Sequence, residues 1–379
     1  MLNSNNKYLC YLILILSIVL SMSITSCARK EINTLKIGAI LPLTGQVATY
    51  GESTKRGMDI ALAELNEKKG INGHLIEILY EDDQSESKMS VSAIKKFIDA
   101  DKLPVVMAGL SSSTVLAIAP IAEQTKTVVI SPFASSPEIT QAGDYIFRVM
   151  PSDAFQAVDA SKWIIDLGYK KVGVIFSNNS WGIALKDAFV MNFSKLGGEI
   201  TGIERANEGD RDFRTQLTKI KKSNPEAIFM PTYPKEGGQL LKQAKILGIN
   251  TKIIGGDPWG GSQDLINTAR EIANGVLFTA PMQYQGKEFQ EFSIKFKAKY
   301  GIVPDAPACA GYDCIKIVAV AIELGGYTSE GIKNSLYKMK KFMGATGETT
   351  FDENGDVVSK SFQKMMVKEN QYVLWDGNQ

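Results

Sequence analysis

A regular alternation of short β-branched runs with helix-period segments is the feature that most constrains the fold of this chain. Five apolar runs follow Leu35, and a second series of five begins at Lys171. The runs cover residues 36–41, 75–80, 105–107, 128–130 and 145–149, then 171–176, 200–205, 227–230, 252–254 and 275–279. Alternation of this kind gives parallel sheets with helices on both faces. The sequence therefore predicts an α/β fold with two doubly wound parallel-sheet lobes.

Amphipathic segments with the helical period fill the intervals between these runs. Predicted helices cover residues 57–69, 87–100, 114–124, 181–196, 213–222, 237–247, 287–300, 308–324 and 329–340. In two places a predicted strand runs directly into a proline, Pro151 and Pro281, and a proline cannot continue a central ladder. We interpret these prolines, and the acidic turn at 351–356, as three crossings that form a hinge between the lobes. The predicted first lobe is 35–151 with 281–352, and the predicted second lobe is 152–280 with 357–379.

The N-terminal segment predicts where the protein resides. Residues 8–20 form an apolar run. Its length is that of a signal-peptide core and is shorter than the roughly 20 residues that a spanning helix needs. The Ile-Thr-Ser-Cys sequence that ends at Cys27 resembles a bacterial lipobox. An uncleaved anchor helix is the alternative, but Arg29 and Lys30 place positive charge on the wrong side of it. We predict a signal peptide at 1–26 and a lipid anchor on Cys27, outside the cytoplasm on a periplasmic or cell-surface face.

Charge and composition exclude several classes of function. Lys and Arg number 42 against 41 Asp and Glu, so the net charge of +1 gives no large excess of positive charge to bind a nucleic-acid backbone. His74 is the only histidine in the sequence, which removes His-rich metal sites and most catalytic triads. Cys309 and Cys314 would point about 140° apart on a helix. We expect them to be small buried hydrophobes rather than a disulfide.

Sequence motifs of the common enzyme and metal classes are absent from the chain. The sequence contains no phosphate-binding loop, dinucleotide fingerprint, HExxH, GxSxG or calcium loop. The acidic string at 81–83 is interpreted as a solvated helix-capping loop rather than a metal site. We therefore expect no catalytic activity, cofactor or metal.

The loops that follow the predicted strands indicate a binding site. In open α/β sheets, ligands bind beyond the carboxyl ends of the strands, near the N-termini of helices. The candidate loops are 42–51, 109–114 and 131–138 in the first lobe, and 180–182, 232–234 and 255–260 in the second. Four consecutive hydroxyl residues, 111–114, open a predicted helix. They could hold a small carboxylate, although helix capping alone explains them equally well.

These loops, in this order, resemble those of the Leu/Ile/Val-binding protein family. The matching motifs are GAILPLTG at 38–45 with Tyr50-Gly51, GING at 70–73, SSST at 111–114, the segment from Ser131-Pro132 to Pro137-Glu138, and FDENGD at 351–356. The resemblance extends from Lys36 to Leu374, nearly the whole mature chain. It implies a type I periplasmic binding protein that binds its ligand between two lobes. It also implies a monomer whose partners are the permease subunits of an ABC transporter.

The resemblance also implies a set of site residues. In the family, a hydroxyl that falls on Ser111 binds the ligand carboxylate, and a carbonyl and a hydroxyl that fall on Phe133 and Ser135 bind the head group. An acidic side chain, here Asp257, pairs with the α-ammonium. The remaining predicted site residues are the aromatic side chains Tyr50, Trp181 and Tyr233 and the neighbouring Ser112 and Ala134. A zwitterion needs partners for both charges, because a buried unpaired charge costs several kcal/mol.

Three departures from the family pattern leave the preference for a ligand side chain open. Asp257 is one methylene shorter than the usual Glu, Phe133 replaces a small residue, and Trp181 replaces a Tyr. The leading hypothesis is a lipid-anchored receptor that delivers an amino acid, of the branched-chain type, to a transporter. One alternative is a receptor for an amide, a short-chain acid or an aromatic acid. Another is a sensory subunit that signals to a receptor kinase.

Overall fold

A computed structural model of the protein describes residues 34–281 and 286–377. The predicted signal peptide and Cys27 lie outside these residues. From Leu35 onwards the chain forms one compact unit built on two separate large sheets. Each sheet has helices on both faces, so the predicted α/β class with two doubly wound lobes is confirmed.

The first sheet is entirely parallel and has five strands in the order β2-β1-β3-β4-β5. Its strands are β1 (Leu35–Leu41), β2 (Ile76–Asp82), β3 (Val105–Ala108), β4 (Val128–Ser131) and β5 (Ile146–Arg148). Its helices are α1 (Ala48–Glu67), α2 (Ser87–Asp99) and α3 (Ser112–Thr125), joined by α9 (Lys287–Tyr300), α10 (Ala306–Gly325) and α11 (Ser329–Lys338) from later in the chain. Each strand ends within one or two residues of its predicted end.

Alternate residues of these strands enter two different cores, as the period of two requires. Ile37 and Ala39 of β1 pack with residues of α1, α10 and α11, whereas Ile40 packs with residues of α2 and α3. Apolar residues at every strand position therefore allow helices to cover both faces of the sheet.

The second sheet has seven strands in the order β14-β13-β10-β9-β8-β6-β7. The strands are β6 (Lys171–Ser177), β7 (Glu199–Ala206), β8 (Ala227–Met230), β9 (Lys252–Gly255), β10 (Leu277–Pro281), β13 (Phe362–Lys368) and β14 (Gln371–Leu374). The helices are α4 (Asp153–Asp166), α5 (Ser180–Lys195), α6 (Arg214–Lys222), α7 (Pro234–Ile246) and α8 (Asp264–Ala269). A separate pair, β11 (Phe342–Gly344) and β12 (Gly347–Thr349), forms a small hairpin.

This sheet is not wholly parallel, which corrects the prediction in one respect. β10 pairs antiparallel with β13, and β13 pairs antiparallel with β14. The last two strands are joined by Glu369 and Asn370, whose φ angles of 51° and 57° give the tight turn of a two-residue hairpin. The C-terminal segment therefore adds an antiparallel edge to the parallel strands.

The third predicted crossing is tied to the first lobe by a buried ion pair. Arg148 at the end of β5 binds Asp356 through Nε–Oδ1 at 2.7 Å and Nη2–Oδ2 at 2.8 Å. In the same turn, Gly355 has a φ of +75° and lies so close to β5 that a Cβ would meet the Ile146 carbonyl oxygen at 2.3 Å. Val357 packs in the core of the first sheet, and the chain joins the second sheet at Phe362. The exact lobe boundaries stay predictions.

Several smaller predictions can be compared with the structure. Cys309 and Cys314 are free and buried on α10, as expected. The prediction that residues 81–83 form a solvated capping loop is wrong for Asp83, which is 1% exposed. Asp83 accepts a hydrogen bond from Ser90 Oγ at 2.8 Å, and Asp82 accepts one from the Leu43 N–H at 2.9 Å. Within residues 34–281 and 286–377, no helix has the length and apolar character that a membrane span needs.

Candidate functional site

The loops at the carboxyl ends of β1, β2, β3, β4, β6, β8 and β9 surround one cavity between the two sheets. The lining residues are Val47, Tyr50, Ser85, Leu110, Ser111, Ser112, Phe133, Ser135, Trp181, Tyr233, Asp257 and Pro258. Eight of the nine predicted ligand-binding residues are in this set. The ninth, Ala134, points away and packs in the core beside α2 and α3, while its N–H donates to Ser131 Oγ at 2.9 Å.

The hydroxyl residues 111–114 at the start of α3 differ in the hydrogen bonds that their side chains make. Ser111 is the N-cap by position, but its side chain makes no capping hydrogen bond. Thr114 Oγ1 instead donates to the Ser111 carbonyl oxygen at 2.8 Å. Ser112 Oγ accepts the Ser136 N–H at 3.1 Å and so fixes the loop after β4. Helix capping therefore does not occupy the Ser111 hydroxyl, which lines the cavity.

Ser135, on the loop after β4, is held by an acid that sequence reasoning missed. Its Oγ donates to Asp153 Oδ2 at 2.8 Å, and its carbonyl oxygen accepts the Asp153 N–H, also at 2.8 Å. Asp153 is the first residue of α4, after the N-cap Ser152, and is fully buried. The Ser-Asp pair after Pro151 was the available signal, because it places an acid where a strand's carboxyl end meets a helix N-terminus.

Asp257 lies in the short 3₁₀ turn Asp257–Gly260 that follows β9. It is 2% exposed, and its Oδ1 accepts a hydrogen bond from Gln156 Nε2 at 3.0 Å. Gln156 Nε2 also donates to Thr279 Oγ1 at 2.7 Å, which anchors it to β10. Burial raises the pKa of Asp257 to about 7, although the hydrogen bond from Gln156 opposes this rise. The Asp257 carboxyl is therefore poorly solvated, and its ionised form can accept hydrogen bonds from a cationic partner.

Aromatic side chains form the apolar walls of the cavity. Tyr50 and Phe133 meet edge to face with ring centroids 5.7 Å apart. Trp181 and Tyr233 stack at 5.3 Å with an interplanar angle of 20°. Trp259, in contrast, is fully buried in the core of the second lobe and donates its Nε1–H to the Thr232 carbonyl oxygen at 2.9 Å.

Hydrogen bonds cross the space between the two sheets around this cavity. Tyr50 Oη donates to the Pro258 carbonyl oxygen at 2.6 Å, and the Ser180 N–H donates to Ser113 Oγ at 3.2 Å. The side chain of Ser111 also approaches the Tyr233 hydroxyl closely enough to lower its pKa, although burial raises that pKa overall. The lobes are thus in contact across the cleft in this conformation.

Comparison with known proteins identifies the family. Residues 34–371 match the family described as "Periplasmic binding protein". The chain belongs to this family, and within it to the type I binding proteins of the Leu/Ile/Val-binding group.

Individual relatives and solved structures are similar along nearly the whole chain. The Leu/Ile/Val-binding protein BraC3 of Rhizobium johnstonii is 28% identical over 352 residues, which is 91% of this chain and 94% of the relative. The leucine-binding protein LivK of Thermotoga maritima has a TM-score of 0.84 at 31% identity, covering 90% of this chain and 97% of LivK. LivJ of Streptococcus pneumoniae, solved with isoleucine, has a TM-score of 0.83 at 29% identity, covering 90% and 98%.

A solute-binding protein with a different ligand is also similar. This protein, from Rhodopseudomonas palustris, was solved with 3,4-dihydroxybenzoic acid and has a TM-score of 0.81 at 25% identity. The alignment covers 90% of this chain and 96% of that protein. Similar folds in this group therefore hold both amino acids and aromatic acids.

Proposed function

We propose that this protein is a lipid-anchored receptor outside the cytoplasm that binds an amino acid of the branched-chain type and delivers it to an ABC transporter. One observation carries the proposal. A single cavity has hydroxyl groups from one lobe, a buried carboxylate from the other, and aromatic walls between them. This distribution matches an α-amino acid with an apolar side chain, which has a carboxylate, an ammonium and a hydrophobic group.

The polar groups suit the two ends of a zwitterion. Ser111 lies at the N-terminus of α3, where backbone N–H groups and the helix dipole favour an anion. Its hydroxyl would donate to the ligand carboxylate. Asp257, the Phe133 carbonyl and Ser135 Oγ would accept from the ammonium. Ser135 suits this role because it donates its own hydrogen to Asp153 and keeps its lone pairs for the ligand.

The apolar walls would receive the ligand side chain. Phe133, which replaces a small residue of the family pattern, lines the cavity and packs its ring against Tyr50. Together with Tyr50 it forms a rigid corner opposite the stacked Trp181 and Tyr233. Burial of an aliphatic group there would contribute about 0.8 kcal/mol for each buried CH₂.

Binding would be coupled to a hinge motion of the two lobes. The lobes proposed for this motion are 35–151 with 281–352 and 152–280 with 357–379. A ligand that contacts both lobes stabilises the closed form through contacts that the open form lacks. Small-angle scattering with and without saturating ligand should then show a smaller radius of gyration in the bound state. An unchanged radius at saturation would contradict closure.

An aromatic acid is the second candidate ligand, and the likeness to the receptor for 3,4-dihydroxybenzoic acid favours it. An ionised Asp257 would repel such an anion. Because the pKa of Asp257 is raised to about 7, however, its protonated form could donate to a carboxylate in mildly acidic solution. The two candidates therefore predict opposite pH dependences of binding.

Thermal unfolding of the full-length protein in detergent tests the two candidates directly. L-leucine, L-isoleucine, L-valine and L-alanine are compared with benzoate, 3,4-dihydroxybenzoate and isobutyramide at pH 5.5 and 8. A ligand at a hundred times its Kd adds about 2.7 kcal/mol to the stability of the folded state. We expect stabilisation by branched-chain amino acids, stronger at pH 8. Stabilisation by the aromatic acids alone, stronger at pH 5.5, would replace the amino-acid proposal.

The lipid anchor is tested separately. Cys27→Ser should abolish lipid attachment, so that the protein is released or stays unprocessed. Membrane extraction and N-terminal mass spectrometry of both proteins measure this. Unchanged membrane retention with an unchanged N-terminus would contradict anchoring through Cys27. The proposed partners in the membrane are the permease subunits, with the receptor acting as a monomer.

A further inference from the structure

Two buried carboxylates from distant parts of the sequence lie beside the ligand cavity, because Gln156, one turn after Asp153 on α4, donates a hydrogen bond to Asp257. Asp153 is the first residue of α4 and Asp257 follows β9. Their exposed fractions are 0% and 2%. The cavity is lined by Asp257 directly, and by Ser135, to which Asp153 is hydrogen-bonded. The acidic side of the cavity therefore contains two acids, of which the family resemblance assigns a role only to Asp257.

The hydrogen bonds around this pair leave two buried acceptor oxygens without a donor among the described residues. Ser135 Oγ donates to Asp153 Oδ2, but Asp153 Oδ1 has no hydrogen-bond partner within the described part of the chain. Gln156, one turn along α4, uses its single amide nitrogen for both Asp257 and Thr279. Its Oε1 is likewise buried without a partner among the described residues. An unfilled acceptor of this kind costs free energy unless a proton or a ligand completes it.

The charges that face the pair do not neutralise it. Those that act on Asp153 are the carboxylate of Asp257 and the guanidinium of Arg148. Arg148 already makes the bidentate ion pair with Asp356, so its charge is largely compensated. The Trp181 side chain also lies close enough to Asp153 to lower the pKa of its carboxyl, although burial, the largest cause, raises it. Two neighbouring carboxylates that are both buried are costly to ionise together, which favours the retention of a proton by one of them.

We propose that Asp153 and Asp257 act as one carboxylate pair that retains a proton in the empty cleft, and that the ammonium of a ligand displaces it. On binding, the carboxyl O–H bond breaks and its proton leaves to the solvent. The ammonium N–H groups then donate to the carboxylate oxygens and to Ser135 Oγ. Binding is therefore linked to the release of a proton. The proposal rests on the proposed function in requiring that the ligand carries an ammonium group.

The sign of the pH dependence follows from this exchange. At low pH the pair is fully protonated, and protons compete with the ammonium for the same oxygens. The affinity for an ammonium ligand then falls by up to about tenfold for each unit of pH below the pair's titration. As the pH rises through that titration, the competition ends and the affinity reaches a plateau. The apparent pKa values belong to the pair, because its two groups interact.

Titration calorimetry with L-leucine on the full-length protein measures the released proton. Titrations at pH 7.5 in phosphate and in Tris, whose ionisation enthalpies differ, give the number of protons released per ligand bound. We expect close to one for the wild type and less than half of one for Asp153→Asn. Asp153→Asn keeps the shape of the side chain and can still accept from Ser135. Asp166→Asn, exposed on the same helix, is the matched control and should release as many protons as the wild type.

Two results with L-leucine would overturn the proposal. One is the absence of proton release by the wild type, and the other is undiminished release by Asp153→Asn. A diamine such as putrescine that binds more tightly than leucine without releasing a proton would also overturn it. Such a result would show that both carboxylates are ionised in the empty protein and that the site favours a doubly charged ligand.

The stability of the empty protein tests the pair without any ligand. Burial raises the pKa of Asp257 to about 7 and that of Asp153 well above its usual value of 3.8, so the folded state holds more protons than the unfolded chain as the pH rises above 3.8. Stability must therefore fall as the pH rises through this range. Urea unfolding at pH 5 and pH 8 should show this decrease in the wild type and in Asp166→Asn. The decrease should be smaller in Asp153→Asn and Asp257→Asn.

The two experiments separate failure of the pair from failure of the amino-acid function. If no amino acid binds but the pH dependence of stability is carried by Asp153 and Asp257, the pair stands and the proposed ligand is wrong. If L-leucine binds without proton release, the proposed function stands and the pair is wrong. Should Asp153→Asn not fold, the wild-type proton count and Asp257→Asn still decide.

Discussion

The two lobes contribute to the cavity in different ways. The first lobe presents neutral groups on loops that its own hydrogen bonds fix, such as Ser112 Oγ with the Ser136 N–H and Ser131 Oγ with the Gly109 carbonyl oxygen. The second lobe presents both buried acids, Asp153 and Asp257. The first lobe is therefore suited to orient a ligand, whereas the second lobe supplies the charge that selects it.

This difference assigns separate parts of the binding free energy to the two lobes. Neutral hydrogen bonds contribute about 0.5–1.5 kcal/mol each, and those to charged groups about 1.5–3 kcal/mol. The loss of one member of a buried charged pair costs about 2–5 kcal/mol. We therefore expect changes in the second lobe to affect affinity most, while changes in the first lobe affect orientation and stability.

The largest effect should come from the buried ion pair of the first lobe, and it should appear in stability. Asp356→Ala leaves the guanidinium of Arg148 buried without its carboxylate, which typically costs about 3–5 kcal/mol. Urea unfolding of the empty protein measures the change. The exposed pair Asp212–Arg214 in the second lobe is the control, and Asp212→Ala should leave stability unchanged. Equal losses in the free energy of unfolding of Asp356→Ala and Asp212→Ala would contradict the expected difference between buried and exposed ion pairs.

The next largest effect should come from the acid of the second lobe, and it should appear in affinity. Asp257→Ala leaves a bound ammonium without its counter-charge, which costs about 2–5 kcal/mol. At about 1.4 kcal/mol per decade, L-leucine should bind roughly thirty- to several-thousand-fold more weakly. Titration calorimetry at pH 8 measures this, with Asp166→Ala as the control. Unchanged affinity would mean that no ammonium lies at Asp257, and the amino-acid ligand would be wrong.

A smaller effect should come from the first-lobe hydroxyl at the start of α3. Ser111→Ala removes one hydrogen bond to a charged carboxylate, worth about 1.5–3 kcal/mol. The same titration should show a loss below that of Asp257→Ala. Ser92→Ala, which removes an exposed hydroxyl on α2, should leave the affinity unchanged. If Ser111→Ala weakens binding more than Asp257→Ala does, the selecting charge does not lie in the second lobe.

Much of this structure could be predicted from sequence, and the errors have physical causes. Strand positions were accurate because apolar runs between turns leave few alternatives. The start of α1 was wrong: the helix begins at Ala48 rather than at residue 57, because its first turns are polar and contain Gly51. Close packing fixes those turns, since a Cβ on Gly51 would meet the Pro42 carbonyl oxygen at 2.0 Å. Neither propensity nor hydrophobic period reports such a contact.

In the candidate site, too, sequence patterns report which side chains face the cavity but not contacts between distant parts of the chain. Alternation along the loop after β4 would have placed Phe133 and Ser135 in the cavity and Ala134 in the core, as observed. Alternation does not identify Asp153, and the Ser-Asp pair that contains it is a weak signal, because an acid after a serine at a helix start is usually a capping residue. Its significance depends on Asp257, which is distant in sequence and close only in the folded chain.

The smallest predicted effect concerns the contact that joins the lobes directly. Tyr50 in α1 donates to the Pro258 carbonyl oxygen across the cleft, a neutral hydrogen bond that Tyr50→Phe removes at a cost of about 0.5–1.5 kcal/mol. Since the bond forms only when the lobes meet, its loss should weaken L-leucine binding about twofold to tenfold by favouring the open form. Burial raises the pKa of the Tyr50 phenol, so this effect should not change between pH 6 and 9.

A second tyrosine provides the matched control for this contact. Tyr337 in α11 donates to the Asp144 carbonyl oxygen at 2.9 Å within the first lobe, so Tyr337→Phe removes a bond of the same kind that does not cross the cleft. It should lower the free energy of unfolding but leave the affinity unchanged. Titration calorimetry and urea unfolding of both variants separate the two outcomes.

If Tyr50→Phe and Tyr337→Phe affect only stability, closure does not depend on the bond between Tyr50 and Pro258. The neutral contacts of the first lobe would then act in orientation alone, and the energy of closure would come from the ligand bound between Ser111 and Asp257.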